Sequence, residues 1–303
     1  MDNCVLGAAT RLAIEGQRLQ FTKFIDQSVH TLVDSSRDAI TGFRHGLSER
    51  TDYGIKIYRF RVMIEPTVAD LTALLPVMGF TASGTLWTIQ EDIPAADVLV
   101  DFGTRIRRYE NAYCDMAVFR DQKGGVPLRL ELGFVAIGNP TEDEDYDLSD
   151  HSSTFPAFAN PIGAGYIFPQ AAITLRGTAR GFDRYALVIN NNLQVRHQNS
   201  QYADSVCAGA GEIYLATSVP YVDTPIDNTD LYDEPMANTA AEGATLVYTR
   251  TSVGTTTVNM LKAHEIAKPP SINGKSEPIN LPLFYRIMRT AQSAALTINH
   301  VVS

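Results

Sequence analysis

Two blocks of this sequence occur twice, in the same order and at nearly the same spacing, and that repetition constrains the fold more than any other feature. A glycine turn leading into an alternating strand, Gly124–Leu132 (GGVPLRLEL), is matched by Gly274–Leu283 (GKSEPINLPL), with Pro278 standing 151 residues after Pro127. A proline-ended strand, Ile57–Pro66 (IYRFRVMIEP), is matched by Glu212–Pro220 (EIYLATSVP), with Pro220 standing 154 residues after Pro66. A chain of 303 residues is long enough for two ordinary domains, so the repeat reads as one domain used twice.

The elements around these anchors also keep their order. A β-like run precedes each proline-ended strand, Phe24–Val33 in the first half and Tyr185–Ile189 in the second. A polar loop separates run from strand, Asp34–Asp52 and about Asn190–Gly211. After the first strand, Thr67–Pro76 predicts a helix with Thr67 as N-cap, Asp70 at the third position and Leu71, Leu74 and Leu75 on one stripe. Gly79 should end it. The second half offers Asp223–Met236, a poorer helix broken by Pro225 and Pro235. Further strands follow: Val98–Phe102 and Met116–Phe119, against Ala244–Thr249 and Thr256–Leu261. The expected fold is mainly β, a sandwich or partly closed barrel with one flanking helix per domain. The domains are placed at 1–140 and 171–303, joined by an acidic, Pro/Gly-rich linker at 141–170.

That linker opens with TEDEDYDLSD, Thr141–Asp150. Asp143, Asp145 and Asp147 have the spacing of a calcium loop, but Leu148 occupies the place of the turn glycine and Thr154 that of the bidentate glutamate. A solvated connection is the better reading. The formal charge of −9 argues against a dedicated nucleic-acid surface, which is normally basic. Apolar stretches are too short to span a bilayer, and the N-terminal run is broken by Arg11, Glu15 and Arg18, unlike a signal peptide. Cys4, Cys114 and Cys207 are odd in number and far apart, which suggests reduced thiols made in a cytoplasm.

No catalytic, cofactor or metal signature stands out: there is no dinucleotide or phosphate-binding glycine motif, no Gly-x-Ser-x-Gly elbow and no His-Glu-x-x-His. The six histidines are isolated. Cys114 and Cys207 read as inert thiols beside apolar strands, and Trp87 as a core or interface anchor. The charged residues are more informative. Arg37, Arg44 and Arg50 share one long loop with His45 and Glu49, Arg59 and Arg61 lie in the next strand, and Arg105, Arg107 and Arg108 cluster further on. Without interleaved aromatics, these suit pairing with acidic groups of a neighbouring subunit better than base stacking. The candidate inter-subunit contacts are therefore Arg37, Arg44, His45, Glu49, Arg50, Arg105, Arg107 and Arg108.

Gly7–Leu12 (GAATRL), Gly42–Thr51 (GFRHGLSERT) and Ile64–Pro76, then Leu187–Gln194, Asn199-Ser200, Val219–Tyr221 and Gly274–Glu277 with its closing strand, together resemble bacteriophage major tail tube proteins. The resemblance covers most of the chain in order and departs in the acidic run Thr141–Asp150. It implies a structural virion protein, made in the host bacterium's cytoplasm, whose rings stack into a hollow tail tube. A two-domain chain would give a homotrimeric ring with pseudo-sixfold symmetry, or alternatively a hexamer. The implied partners are other copies of the chain, the tape-measure protein and passing DNA in the lumen, and tail terminator and tail-tip proteins, with no membrane and no cofactor. Exposed sheet edges would pair round the ring, and the long loops Asp34–Asp52 and Asn190–Gly211 would touch the next ring. An acidic bore would let DNA slide. Other readings are a hub, baseplate or terminator protein of the same fold, a contractile secretion tube protein, or a carbohydrate-binding β-sandwich or hydrolase with a scattered site.

Overall fold

The computed structural model describes residues 10–34, 51–103, 106–122, 127–143, 165–220, 242–266 and 280–302. In the first half seven antiparallel strands pair in the order β2 (Gln17–Leu19), β1 (Arg11–Ile14), β8 (Ala95–Asp101), β9 (Ile106–Gln122), β10 (Arg129–Ala136), β5 (Thr51–Ile64) and β3 (Phe21–Asp26). The second half repeats that order with β13 (Thr178–Arg180), β12 (Ala171–Leu175), β18 (Glu242–Arg250), β19 (Gly254–Ile266), β20 (Asn280–Met288), β17 (Glu212–Pro220) and β14 (Arg184–Asn190). The chain is mainly β, as the alternating patterns predict.

The irregularities repeat along with the ladders. Hairpin β1–β2 turns on Glu15-Gly16 at φ 50° and 71°, and hairpin β12–β13 turns on Arg176-Gly177 at 52° and 74°. Two successive positive φ values make the primed turn whose twist suits a two-residue hairpin. A bulge on β9 opposite Ala96–Val98 interrupts its ladder with β8, and a bulge on β19 opposite Glu242–Ala244 interrupts its ladder with β18. The ladders also correct the proline match by one residue. Ile64 lies opposite Leu130 and Val219 opposite Leu281, so Ile64 corresponds to Val219 and Pro66 to the residue after Pro220. The pleat demands this: Phe60, Val62 and Ile64 point into the core, as do Leu215, Thr217 and Val219, and a one-residue shift would turn every side chain to the wrong face.

The remaining strands fill gaps around these two units. Strand β4 (Val29–Asp34) prolongs β3 along β5, while β11 (Thr141–Asp143) lies on β9 and β21 (Leu296–Val302) on β19. Residues 141–143, expected in the linker, are thus in the sheet; 144–164 lie outside the described residues. The expected loop Asn190–Gly211 contains a hairpin of its own, β15 (Gln194–Arg196) with β16 (Ser205–Cys207).

The one helix among the described residues, α1 (Val68–Val77), begins as the sequence predicts. Thr67 Oγ1 accepts from Asp70 N at 3.1 Å and Asp70 Oδ2 accepts from Thr67 N at 2.9 Å, a reciprocal cap. The counterpart expected at Asp223–Met236 lies outside the described residues. After α1 comes the hairpin β6 (Phe80–Ser83) and β7 (Leu86–Ile89), and β7 pairs with β21 through Trp87 opposite Ile298. Leu71 and Leu75 reach second-half residues, closing a small cavity with Leu246, Tyr248, Val258 and Ile298. The approach is close: a Cβ on Gly254 would stand 2.7 Å from Val68 Cγ1 and 2.5 Å from Val301 O. The helix of the first half therefore covers the core of the second, and the buried residues of both halves form one cluster.

Candidate assembly interface

The C-terminal part of β9, Met116–Gln122, pairs on one edge with β10 and on the other with β14. That seam joins the two halves into one eight-stranded sheet, β3-β5-β10-β9-β14-β17-β20-β19. A single row of facing residues crosses all eight strands: Phe21, Ile64, Leu130, Phe119, Leu187, Leu215, Tyr285 and Glu265. The row does not stay level between halves. Leu130 corresponds to Leu281, yet the row reaches β20 at Tyr285, four residues further along. A stagger of this kind, repeated with each unit, is the tilt that closure of a sheet into a barrel requires.

The sheet ends in two unlike edges. Among the described residues, β3 pairs only with β5. On β19 the edge used by β18 stops at Ala263, and among the described residues no strand neighbours His264–Ile266 there. Strand edges of this kind present unpaired backbone groups, and one can accept the other.

The two faces differ as sharply. Residues of the row above point to the core, whereas their alternates Met63, Glu131, Val188, Tyr214, Arg286 and His264 point away from it. On that second face stand Lys23, Arg59, Arg61, Arg120, Arg129, Arg184, Lys262 and Arg286, against Glu65, Glu131 and Glu212. The carboxylates sit among arginines: Glu131 is 3.4 Å from Arg61 and 3.2 Å from Arg120, Glu65 3.4 Å from Arg129, and Glu212 3.3 Å from Arg286. A depression of about 460 Å³ opens here, reaching from Met63 on β5 to Phe284 on β20, so the face is concave across the seam. Within a chain of net charge −9, this face is basic among the described residues.

Of the residues expected at subunit contacts, Arg37, Arg44, His45, Glu49, Arg50 and Arg105 lie outside the described residues. The other two find partners within the chain. Arg107 reaches Asp26 at 3.4 Å, and Arg108 contacts Asp97 at 2.9 Å and Glu110 at 3.5 Å. Which strands form the open edges is not legible in the sequence, because an edge is a property of ladder order and leaves no mark in local composition. Cys114 is fully buried, and desolvation pushes its thiol up to about 12, which makes it inert as expected. No cluster of three His, Cys, Asp or Glu residues able to hold a metal occurs among the described residues.

Glu265, at the end of the long row, is the unusual titratable group of this edge. Burial first of all pushes its carboxyl from the ordinary 4.5 up to about 7, opposed by Arg176 and by the Tyr285 hydroxyl. A raised folded value means the native state holds the proton more tightly. The stability it contributes is complete below about pH 4.5 and is lost as pH rises through about 7. Glu265→Gln should therefore stabilise the protein by about 1–2 kcal/mol near pH 8, after allowance for partial solvent access, and change little near pH 4. Urea unfolding at the two pH values checks this, and an equal effect at both would defeat it.

Neither a scan against protein-family models nor a search of curated proteins finds a match to this chain.

Proposed function

We propose that the chain is a self-assembling structural protein of the tail-tube kind, built from two copies of one domain and closing into rings that stack as a tube. The observation that carries this is the seam between β9 and β14. It is a head-to-tail junction between equivalent units, and the sheet it builds ends in the same two elements, a β3-type edge and a β9-type edge. A heterologous interface of this kind generates a ring if the rotation closes. The stagger along the facing row supplies that rotation.

In such a ring the face bare of core lines the bore, and the helix and second layers lie outside it. The bore is then basic rather than acidic among the described residues, contrary to the sequence-based expectation. DNA and a tape-measure protein would pass along an arginine-bearing wall. The contact is electrostatic and sequence-independent, and it weakens as salt rises. The virion is the place of action on this reading, and no catalysis is involved.

Negative-stain microscopy of the purified protein at high concentration tests the proposal. Rings or tubes with a central hole are the expected result. Monomers that persist at high concentration would overturn it.

A further inference from the structure

The seam within the chain also fixes the register of the seam between chains, provided the ring reading above holds. Strands β3 and β4 occupy the place of β14. Phe24 faces Val62 as Tyr185 faces Thr217, and further along Val29 faces Ile57 as Asn190 faces Glu212. Val29 is therefore the counterpart of Asn190. On the other side β19 occupies the place of β9. Met116 faces Gly133, and Ile266 faces Phe284, the counterpart of Gly133, so Ile266 is the counterpart of Met116. Inside the chain Asn190 faces Met116. We propose that Val29 of one copy packs directly against Ile266 of the next.

Solvent exposure agrees with this pairing. Val29 is 50% exposed and Ile266 46%, the first and third most exposed of the large hydrophobic side chains of the described residues. Two apolar side chains that are costly to leave in water are brought opposite each other by a register derived from backbone pairing alone. The kind of pair is fixed as well. Asn191 N donates to Asp115 O at 2.7 Å, which makes Asn190–Met116 a non-hydrogen-bonded pair, the kind in which facing side chains stand closest. The same geometry at Val29–Ile266 is short enough for a disulfide between cysteines placed there. The occupant of each edge is a second copy of this chain, joined head to tail, and never the same edge of its twin.

The double variant V29C/I266C, oxidised at assembling concentration, should shift most of the protein into covalent multimers on non-reducing gels. That series should stop at one closed species. V29C and I266C alone, which share the native Cys4, Cys114 and Cys207, should stay monomeric. Rings seen by microscopy without cross-links in the double variant would overturn this register and leave the ring reading standing. Cross-links in either single variant would overturn head-to-tail pairing in favour of a twofold contact. Absence of both rings and cross-links would remove the ring reading, and this inference with it.

Discussion

Replacing Ser28 with proline should leave a folded chain that, if the proposed rings form, no longer closes into them. The ladder of β3 shows why one N–H can be removed without disturbing the fold. Gln27 N donates to Arg59 O at 2.7 Å, so Gln27 and its alternates Ile25 and Val29 face β5. Phe24, Asp26 and Ser28 then aim their N–H groups at the open edge. Ser28 N is held only by Asp26 Oδ1, at 2.9 Å in an exposed position, and losing that bond costs about 1 kcal/mol of folding stability. The incoming strand, by contrast, loses a ladder bond and meets the proline ring at the edge it must approach. A loss of about 1–3 kcal/mol at each seam lowers its association constant by roughly 5- to 150-fold, and every seam of a closed ring carries the same loss. Ser28→Ala keeps the N–H and should assemble like the parent. Circular dichroism and size-exclusion chromatography check the pair. Rings of S28P at the parent's concentration would show that β3 is not the accepting edge.

The sequence carries the elements of this fold more plainly than their connections. The helix was readable because a cap, an acidic third residue and a leucine stripe coincide between Thr67 and Leu75. The strands were readable from period-two alternation, although β9 runs for 17 residues where only Met116–Phe119 stood out. Its residues before Met116, IRRYENAYCD, break the alternation because bulges at Ala96/Val98 and Gly133/Phe134 shift the pleat. The seam was illegible for a different reason. Phe119 and Leu187 are ordinary core residues in the sequence, and nothing local says that one faces the other across two halves of the chain. Arg107 and Arg108, expected from the sequence as contacts for a neighbour, find Asp26 and Asp97 within the chain. Arg120, Arg129 and Arg184, unremarkable in sequence, come together on the concave face only because three strands pair there.

Phe119→Ala should unfold both halves together. Phe119 is 5% exposed and stands at the seam, with Leu130 on one side and Leu187 on the other. It also lines the small cavity that Leu71 and Leu75 of the helix share with Leu246, Tyr248 and Ile298 of the second half. Truncating it removes a large apolar side chain and enlarges a space that already exists, so the surrounding walls have little room to relax into the gap. A loss of about 3–5 kcal/mol is expected, at the upper end for core truncations. In a chain of this size that corresponds to a fall in Tm of roughly 5–8 °C. The shape of the transition is the sharper test. Were the halves independent domains on a linker, calorimetry of F119A would show two transitions, with the second-half one unmoved. The single buried cluster and the helix laid across the boundary require one cooperative transition, displaced as a whole. That cooperativity is also what a ring wall needs, because a pull on one unit is then resisted by its neighbour's core as well as by the strand pairing between them.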